Sequence, residues 1–211
     1  LPTEPKIVAI YLTHLSKNSK ISTIRRRLVS ISMVHKLKGH YLDTKHPIIT
    51  ENFLGIKRLK GSIQKGKKPL LINHLKSIVN VIDEQKCEEI KRLRDRSIIL
   101  IGFGGGFRRT ELISIDHEDL EFVPEGLKIT IRRSKTDQFG EGMIKGLPYF
   151  SNEIYCPVTS LKRWLEVSKI KSGPIFRRFS KGSLLTEKRL TDQSVVLLMK
   201  EYLNLAGIEN K

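Results

Sequence analysis

The chain has 211 residues, 39% of them hydrophobic, and its 39 Lys+Arg against 22 Asp+Glu give a formal net charge of +17 and a pI near 10.0. No apolar run reaches the roughly 20 residues that span a bilayer and no secretion signal opens the chain. Two distant cysteines, Cys87 and Cys156, and six scattered histidines give no disulfide framework and no metal-type cluster. These features predict a cytoplasmic protein with buried, reduced thiols. Its charge points to nucleic acid rather than to an anionic membrane, because no segment joins a basic face to a large apolar one.

The charge is uneven: residues 1 to 68 hold 15 Lys+Arg against 3 Asp+Glu, net +12, and residues 69 to 211 hold 24 against 19, net +5. Val8, Tyr11, Leu12 and Leu15 have the spacing of one buried helical stripe, after a start at Thr3 to Pro5. A second helix, capped by Ser22 or Thr23, buries Ile24, Leu28 and Ile31 and ends near Gly39. That sets Arg25, Arg26 and Arg27 around its first turn, where arginine opposes the helix dipole. Phosphate contact is one cause of such a placement, and a solvated charged face is the other. A third helix fits Thr50 to Leu59 and carries Lys57 and Arg58. The stretch LKGSIQKGKKPL that follows, with Lys67 and Lys68, has no apolar periodicity and reads as a linker. We expect a helical domain over residues 1–60, a basic linker over 61–69 and a larger domain over 70–211.

Two helices, Leu71 to Ile82 and Leu93 to Phe103, open the larger domain and lead into GFGGGFRRTEL, Gly102 to Leu112. A dinucleotide-binding fingerprint starting at Gly102 needs glycine where Phe107 stands, and helix rather than strand precedes it. The glycines instead let the backbone bend sharply and deliver Arg108 into a helical segment. Asp119 to Phe122, Leu127 to Arg133 and Met143 to Tyr149 then read as three strands of an antiparallel meander, with a hairpin turn carrying Lys135. Helices return at Pro157 to Lys169, burying Val158, Leu161 and Leu165, and at Thr191 to Ala206, burying Val195, Leu198, Met199 and Tyr202, with Gly207 as a stop. The fold class is mainly α with a small antiparallel β-meander (α+β).

GFRRTEL followed by DHEDLEF resembles the first catalytic box of the tyrosine recombinase (phage integrase) family. ITIRRSKTDQFGEG is similar to that family's β-hairpin with its catalytic lysine, YCPVTSLKRWLEVSKIKSGPIFRR to the approach to its second box, and the segment around STIRRRLVSI to its helical, SAM-like core-binding domain. The resemblance covers nearly the whole chain. It implies a core-binding domain followed by an incomplete catalytic domain, and an enzyme of DNA integration and recombination, as found on mobile elements. That chemistry joins DNA through a 3′-phosphotyrosyl intermediate and uses neither a metal nor a nucleotide cofactor.

The resemblance assigns Arg108 to the phosphate, where a planar guanidinium offers paired donors to charge developing on the non-bridging oxygens. Arg109 is an alternative on side-chain chemistry alone, but the spacing to Glu111 and Leu112 in the family pattern favours Arg108. Glu111 would orient the guanidinium, and Lys135 would protonate the departing 5′ oxygen, a task that a tunable ammonium can perform and a guanidinium cannot. Arg132 and Arg133 are candidates for phosphate contact beside Arg25, Arg26, Arg27, Lys57, Arg58, Lys67 and Lys68.

The H-x-x-R box and the nucleophilic tyrosine of the pattern are not found before Lys211, and Tyr149, Tyr155 and Tyr202 fit strand, strand-end and helix-core positions. The chain alone is therefore expected to bind double-stranded DNA without cleaving it, and the intact family member to self-associate on DNA. Leu1 in place of Met suggests missing upstream sequence, so a fragment of a longer protein and a decayed gene product both fit. Two other functions stay open: a non-catalytic DNA-binding regulator and a basic RNA-binding protein.

Overall fold

A computed structural model describes residues 1–61, 66, 68–132 and 142–208. The chain divides into two compact units, Leu1–Gly66 and Lys67–Lys211. Among the described residues no helix is long and apolar enough to cross a membrane.

The first unit is three helices: α1 (Pro5–Ser16), α2 (Ile21–Leu37) and α3 (Pro47–Lys60). Proline opens α1 and α3, where its missing N–H is one the helix could not have satisfied and its fixed φ already suits the turn. Val8, Leu12, Ile24, Leu42, Ile49 and Ile56 form the core, with Leu15, Leu28, Ile31 and Phe53 packed against it. Tyr11 departs from the expected stripe: Ala9 is buried instead, and Tyr11, one residue short of Leu12, turns about 100° outward and is 41% exposed. The first turns also differ. The α2 cap is Lys20, which makes no side-chain capping bond, so Ser22 and Thr23 lie inside the helix. His46 caps α3, its Nδ1 accepting from the Ile48 N–H at 3.2 Å, so the helix starts at Pro47, three residues ahead of the expected Thr50.

The second unit opens with α4 (Ile72–Glu84), α5 (Glu89–Gly104) and the short α6 (Arg109–Ser114). A 3-10 turn at His117–Asp119 leads into β1 (Leu120–Val123), β2 (Gly126–Ile131) and β3 (Met143–Pro148), an antiparallel sheet in the order β1-β2-β3. After a second 3-10 turn at Glu153–Tyr155 come α7 (Pro157–Ser168), a two-stranded sheet of β4 (Arg177–Phe179) and β5 (Leu185–Arg189), and α8 (Asp192–Leu205). The molecule is thus mostly helical with small antiparallel sheets, as expected. The β4–β5 hairpin is new. Its turn runs through Gly182 and Ser183, both at positive φ, and closes with the Ser180 N–H on the Leu184 carbonyl at 2.9 Å.

Helix α5 runs through the middle of this unit, its residues 97 to 101 buried, and packs along α7. Trp164 of α7 is fully buried and donates its indole N–H to the Ile175 carbonyl at 2.8 Å. A charged group is also enclosed. Arg94 bonds Asp95 Oδ1 through Nε at 2.9 Å and Nη2 at 2.7 Å, reaches the Arg177 carbonyl at 3.1 Å and lies 4.5 Å over the Phe179 ring. Asp95 Oδ2 accepts from the Tyr202 hydroxyl at 2.9 Å. Every charge in this buried cluster has a partner, the condition under which such a group is tolerated. It fastens α8 and the β4–β5 hairpin to α5. Burial, then the Asp95 carboxylate, pushes the Tyr202 phenol far above its ordinary pKa.

Both cysteines are free thiols; Cys87 is half-buried and Cys156 buried. Cys156 caps α7, accepting from the Phe150 N–H at 3.4 Å and the Thr159 N–H at 3.5 Å. Burial pushes this thiol up, but the surrounding amides outweigh it and hold it below its usual pKa.

Candidate active site

The last turn of α5 builds the site. Gly106 adopts φ +55, which a side chain disfavours, and two bonds close the helix behind it: Gly106 N–H to the Phe103 carbonyl at 3.2 Å, and Phe107 N–H to the Gly102 carbonyl at 3.1 Å. This is a Schellman stop. Gly105 is required for space, since a Cβ there would stand 2.1 Å from the Phe107 ring. Arg108 follows in extended conformation and α6 begins at the next residue.

Glu111 holds Arg108 twice. Its Oε2 accepts from the Arg108 backbone N–H at 3.0 Å and its Oε1 from the guanidinium at 2.6 Å. The Glu111 side chain is 3% exposed and that of Arg108 47%, so a buried carboxylate aims a half-exposed cation. Arg109 turns elsewhere, its Nη1 3.9 Å from Asp192 at the start of α8.

Lys145 completes the group, and sequence reasoning missed it. Its Nζ donates to the Gly105 carbonyl at 3.0 Å and the Gly106 carbonyl at 3.2 Å, lies 3.7 Å from Glu111 Oε2 and sits 4.3 Å over the Phe107 ring. A signal was present. In the β2–β3 register Leu127 faces Leu147, Ile129 faces Lys145 and Ile131 faces Met143. A lysine interrupting a column of apolar residues on the pleat's inner side has a specific partner to meet.

Arg132, just past β2, bonds Asp119 Oδ1 through Nε at 2.7 Å and Asp116 Oδ2 through Nη1 at 3.2 Å. The hydrogen bond and charge of Asp119 raise its pKa further. Asp116 also takes Arg189 of β5, whose other nitrogen donates to the Ile113 carbonyl at 2.6 Å. This acid-and-arginine ladder ties the β2 end to α6 and to β5. Lys135 and Arg133 lie outside the described residues, as does Lys67.

On the first unit Arg25, Arg26 and Arg27 are exposed and occupy the fifth to seventh positions of α2, beyond its first turn. The dipole penalty expected there does not apply, because that field fades within a turn. Consecutive helical positions fan the three over about 200°. Arg25 leans on α3, its guanidinium 5.9 Å over Phe53. One turn along α3 come Lys57, half-buried, and Arg58, exposed. Lys68 is exposed in the second unit. Among the described residues no group of three or more His, Cys, Asp or Glu is placed to hold a metal ion.

No protein-family model matches the chain. In fold it is similar to two recombinases. One is the XerH site-specific recombinase in a post-cleavage complex with palindromic difH substrate, with a TM-score of 0.63 and 15% identity over 99% of this chain and 55% of that one. The other is the XerA recombinase, with a TM-score of 0.50 and 13% identity over 97% of this chain and 69% of that one. The fold that sets Arg108 on a glycine-closed helix end beside an antiparallel meander is thus shared with these recombinases. In sequence the chain is 37% identical over 212 residues to the integrase/recombinase xerD homolog of Selenomonas ruminantium, covering 99% of this chain and 61% of that protein. In sequence and in fold the chain is thus similar to integrase and recombinase proteins. It spans about three fifths of the length of that curated relative.

Proposed function

We propose that these 211 residues supply the DNA-binding and phosphate-activating part of a tyrosine recombinase, acting in DNA integration and recombination. The observation that carries this is the half-exposed Arg108 guanidinium held on the buried Glu111 carboxylate at the end of a glycine stop. A guanidinium so fixed presents donors to a phosphodiester and strengthens its hold as charge grows on the non-bridging oxygens, with little reorganisation. Lys135, on the segment following β2, is the general acid for the leaving 5′ oxygen. The partner is double-stranded DNA, gripped by the helical domain over residues 1–60 through Arg25, Arg26, Arg27, Lys57 and Arg58, and by Lys67 and Lys68 of the linker over 61–69. Arg132 and Arg133 complete the phosphate contacts, Arg132 chiefly by holding the root of its segment. The assembled enzyme self-associates on DNA, associated with the nucleoid.

We assign none of Tyr149, Tyr155 and Tyr202 as the nucleophile. The Tyr202 hydroxyl is buried on Asp95, that of Tyr155 meets Asn80 at 3.2 Å, and that of Tyr149 accepts from Lys162. A nicked duplex that traps covalent intermediates is expected to give no adduct with this chain while being bound by it. An adduct would overturn the assignment. Competition between duplex DNA and structured RNA at fixed salt separates the DNA partner from the RNA alternative, and full binding by Arg108→Gln with Lys135→Gln would favour the non-catalytic regulator.

A further inference from the structure

We infer that Lys145 is a positioning residue for the phosphate site, a charged staple that locks the Gly105–Phe107 bend and shares Glu111 with Arg108. The inference rests on the reading of Arg108 as the phosphate ligand. Lys145 is costly where it stands: its side chain is 18% exposed, on the strand face where its neighbours in register, Leu127, Ile129 and Ile131, are buried. An ammonium in such a place must have its donors met. Two hydrogen-bond acceptors and one ion pair do so, and all three belong to the segment that presents Arg108: the carbonyls of Gly105 and Gly106, left over at the end of α5, and, at 3.7 Å, the charge of Glu111 Oε2. The Phe107 ring closes the fourth side, with the cation against its negative face.

Two consequences follow from these contacts. Lys145 fixes the backbone from which Arg108 projects, so the direction of the guanidinium is set from β3 as well as from α6. Its charge also draws on Oε2 while Arg108 holds Oε1, so Glu111 does not spend its whole field on Arg108 and the cluster keeps more positive potential toward an incoming phosphodiester. A neutral side chain in its place removes that draw on Oε2.

The test is titration of the 211-residue chain with dimethyl phosphate, the smallest phosphodiester, followed through the amide resonances of Phe107 and Arg109 in wild type, Arg108→Gln, Lys145→Met, Lys145→Gln and Lys145→Arg. Arg108→Gln is expected to abolish binding. Lys145→Met and Lys145→Gln are expected to weaken it about tenfold, the scale of one charge-assisted contact. Lys145→Gln keeps an amide donor for the bend, so it stands in should the methionine variant fail to fold. Lys145→Arg, with the charge restored, is expected within about threefold of wild type. Wild-type affinity in Lys145→Gln together with loss in Arg108→Gln overturns the role of Lys145 and leaves the phosphate site standing. So does an equal loss in Lys145→Arg and Lys145→Gln, which would make the effect one of shape. Wild-type affinity in Arg108→Gln removes the phosphate site itself, and the inference with it.

Discussion

The two units differ in what holds them together. The first has six core side chains beneath a surface that leaves Leu37 76%, Tyr41 87% and Leu59 90% exposed. The second buries a continuous apolar core around α5, with Trp164 and Phe176 fully enclosed and an ionic cluster inside it. Burial of one large apolar side chain contributes about 1.5–3 kcal/mol, so the smaller core has little margin over the entropy of ordering its helices. The unit richest in positive charge, net +12 over residues 1 to 68, is therefore also the one least able to tolerate its own repulsion. Binding a polyanion would relieve that repulsion, whereas the Arg108 guanidinium is held from within the second unit by Glu111.

This contrast can be broken most forcibly from inside the second unit. Asp95→Ala strands the Arg94 guanidinium in the core and is expected to destabilise that unit by about 3–5 kcal/mol, seen as a lowered second transition in calorimetry. Leu12→Ala removes a fully buried side chain from the smaller core at about 2–5 kcal/mol. It should abolish the first unit's transition while leaving the second's melting temperature in place; coupled loss of both would refute their independence. Neutralising Arg25, Arg26 and Arg27 together is expected to flatten the log K against log salt slope for duplex DNA by about 2–3, roughly one for each phosphate contact. An unchanged slope would show that these arginines are merely solvated.

Smaller effects sharpen the comparison. Tyr202→Phe is expected to cost about 1 kcal/mol. Because the folded phenol titrates above its unfolded value, its contribution is fully present below about pH 10 and is lost as pH rises beyond it. Absorbance near 295 nm should show one tyrosine that resists ionisation until the second unit melts. Removing the exposed Lys128–Glu121 pair, 2.9 Å apart, should change stability by less than about 1 kcal/mol.

Periodic elements were legible in the sequence because their faces are one-sidedly apolar: Leu127, Ile129 and Ile131 announce a half-buried strand, and Val195, Leu198 and Tyr202 a helix. The β4–β5 hairpin was not, since Arg177, Arg178, Glu187, Lys188 and Arg189 leave no alternation of apolar and polar to read. Its place is set by tertiary bonds from Arg94 and to Asp116. Ser22 and Thr23 were plausible caps on chemistry alone, but Ile21 packs against the core and draws the helix start ahead of them. The pairing of Arg108 with Glu111 was legible because a motif three residues apart is local. Lys145 was not, because its meaning lies in a strand register and a bend forty residues upstream.

The run from Gly102 to Phe107 has the composition of a permissive loop, the kind that accepts insertions. Its hydrogen bonds make it a ruler instead. One added residue would carry Arg108 about 3–4 Å along the chain, as far as the whole reach of a hydrogen bond, and would unseat the ring on which Lys145 rests. Among variants of this protein, length should be more strictly kept across these six positions than in any exposed turn of the sheet.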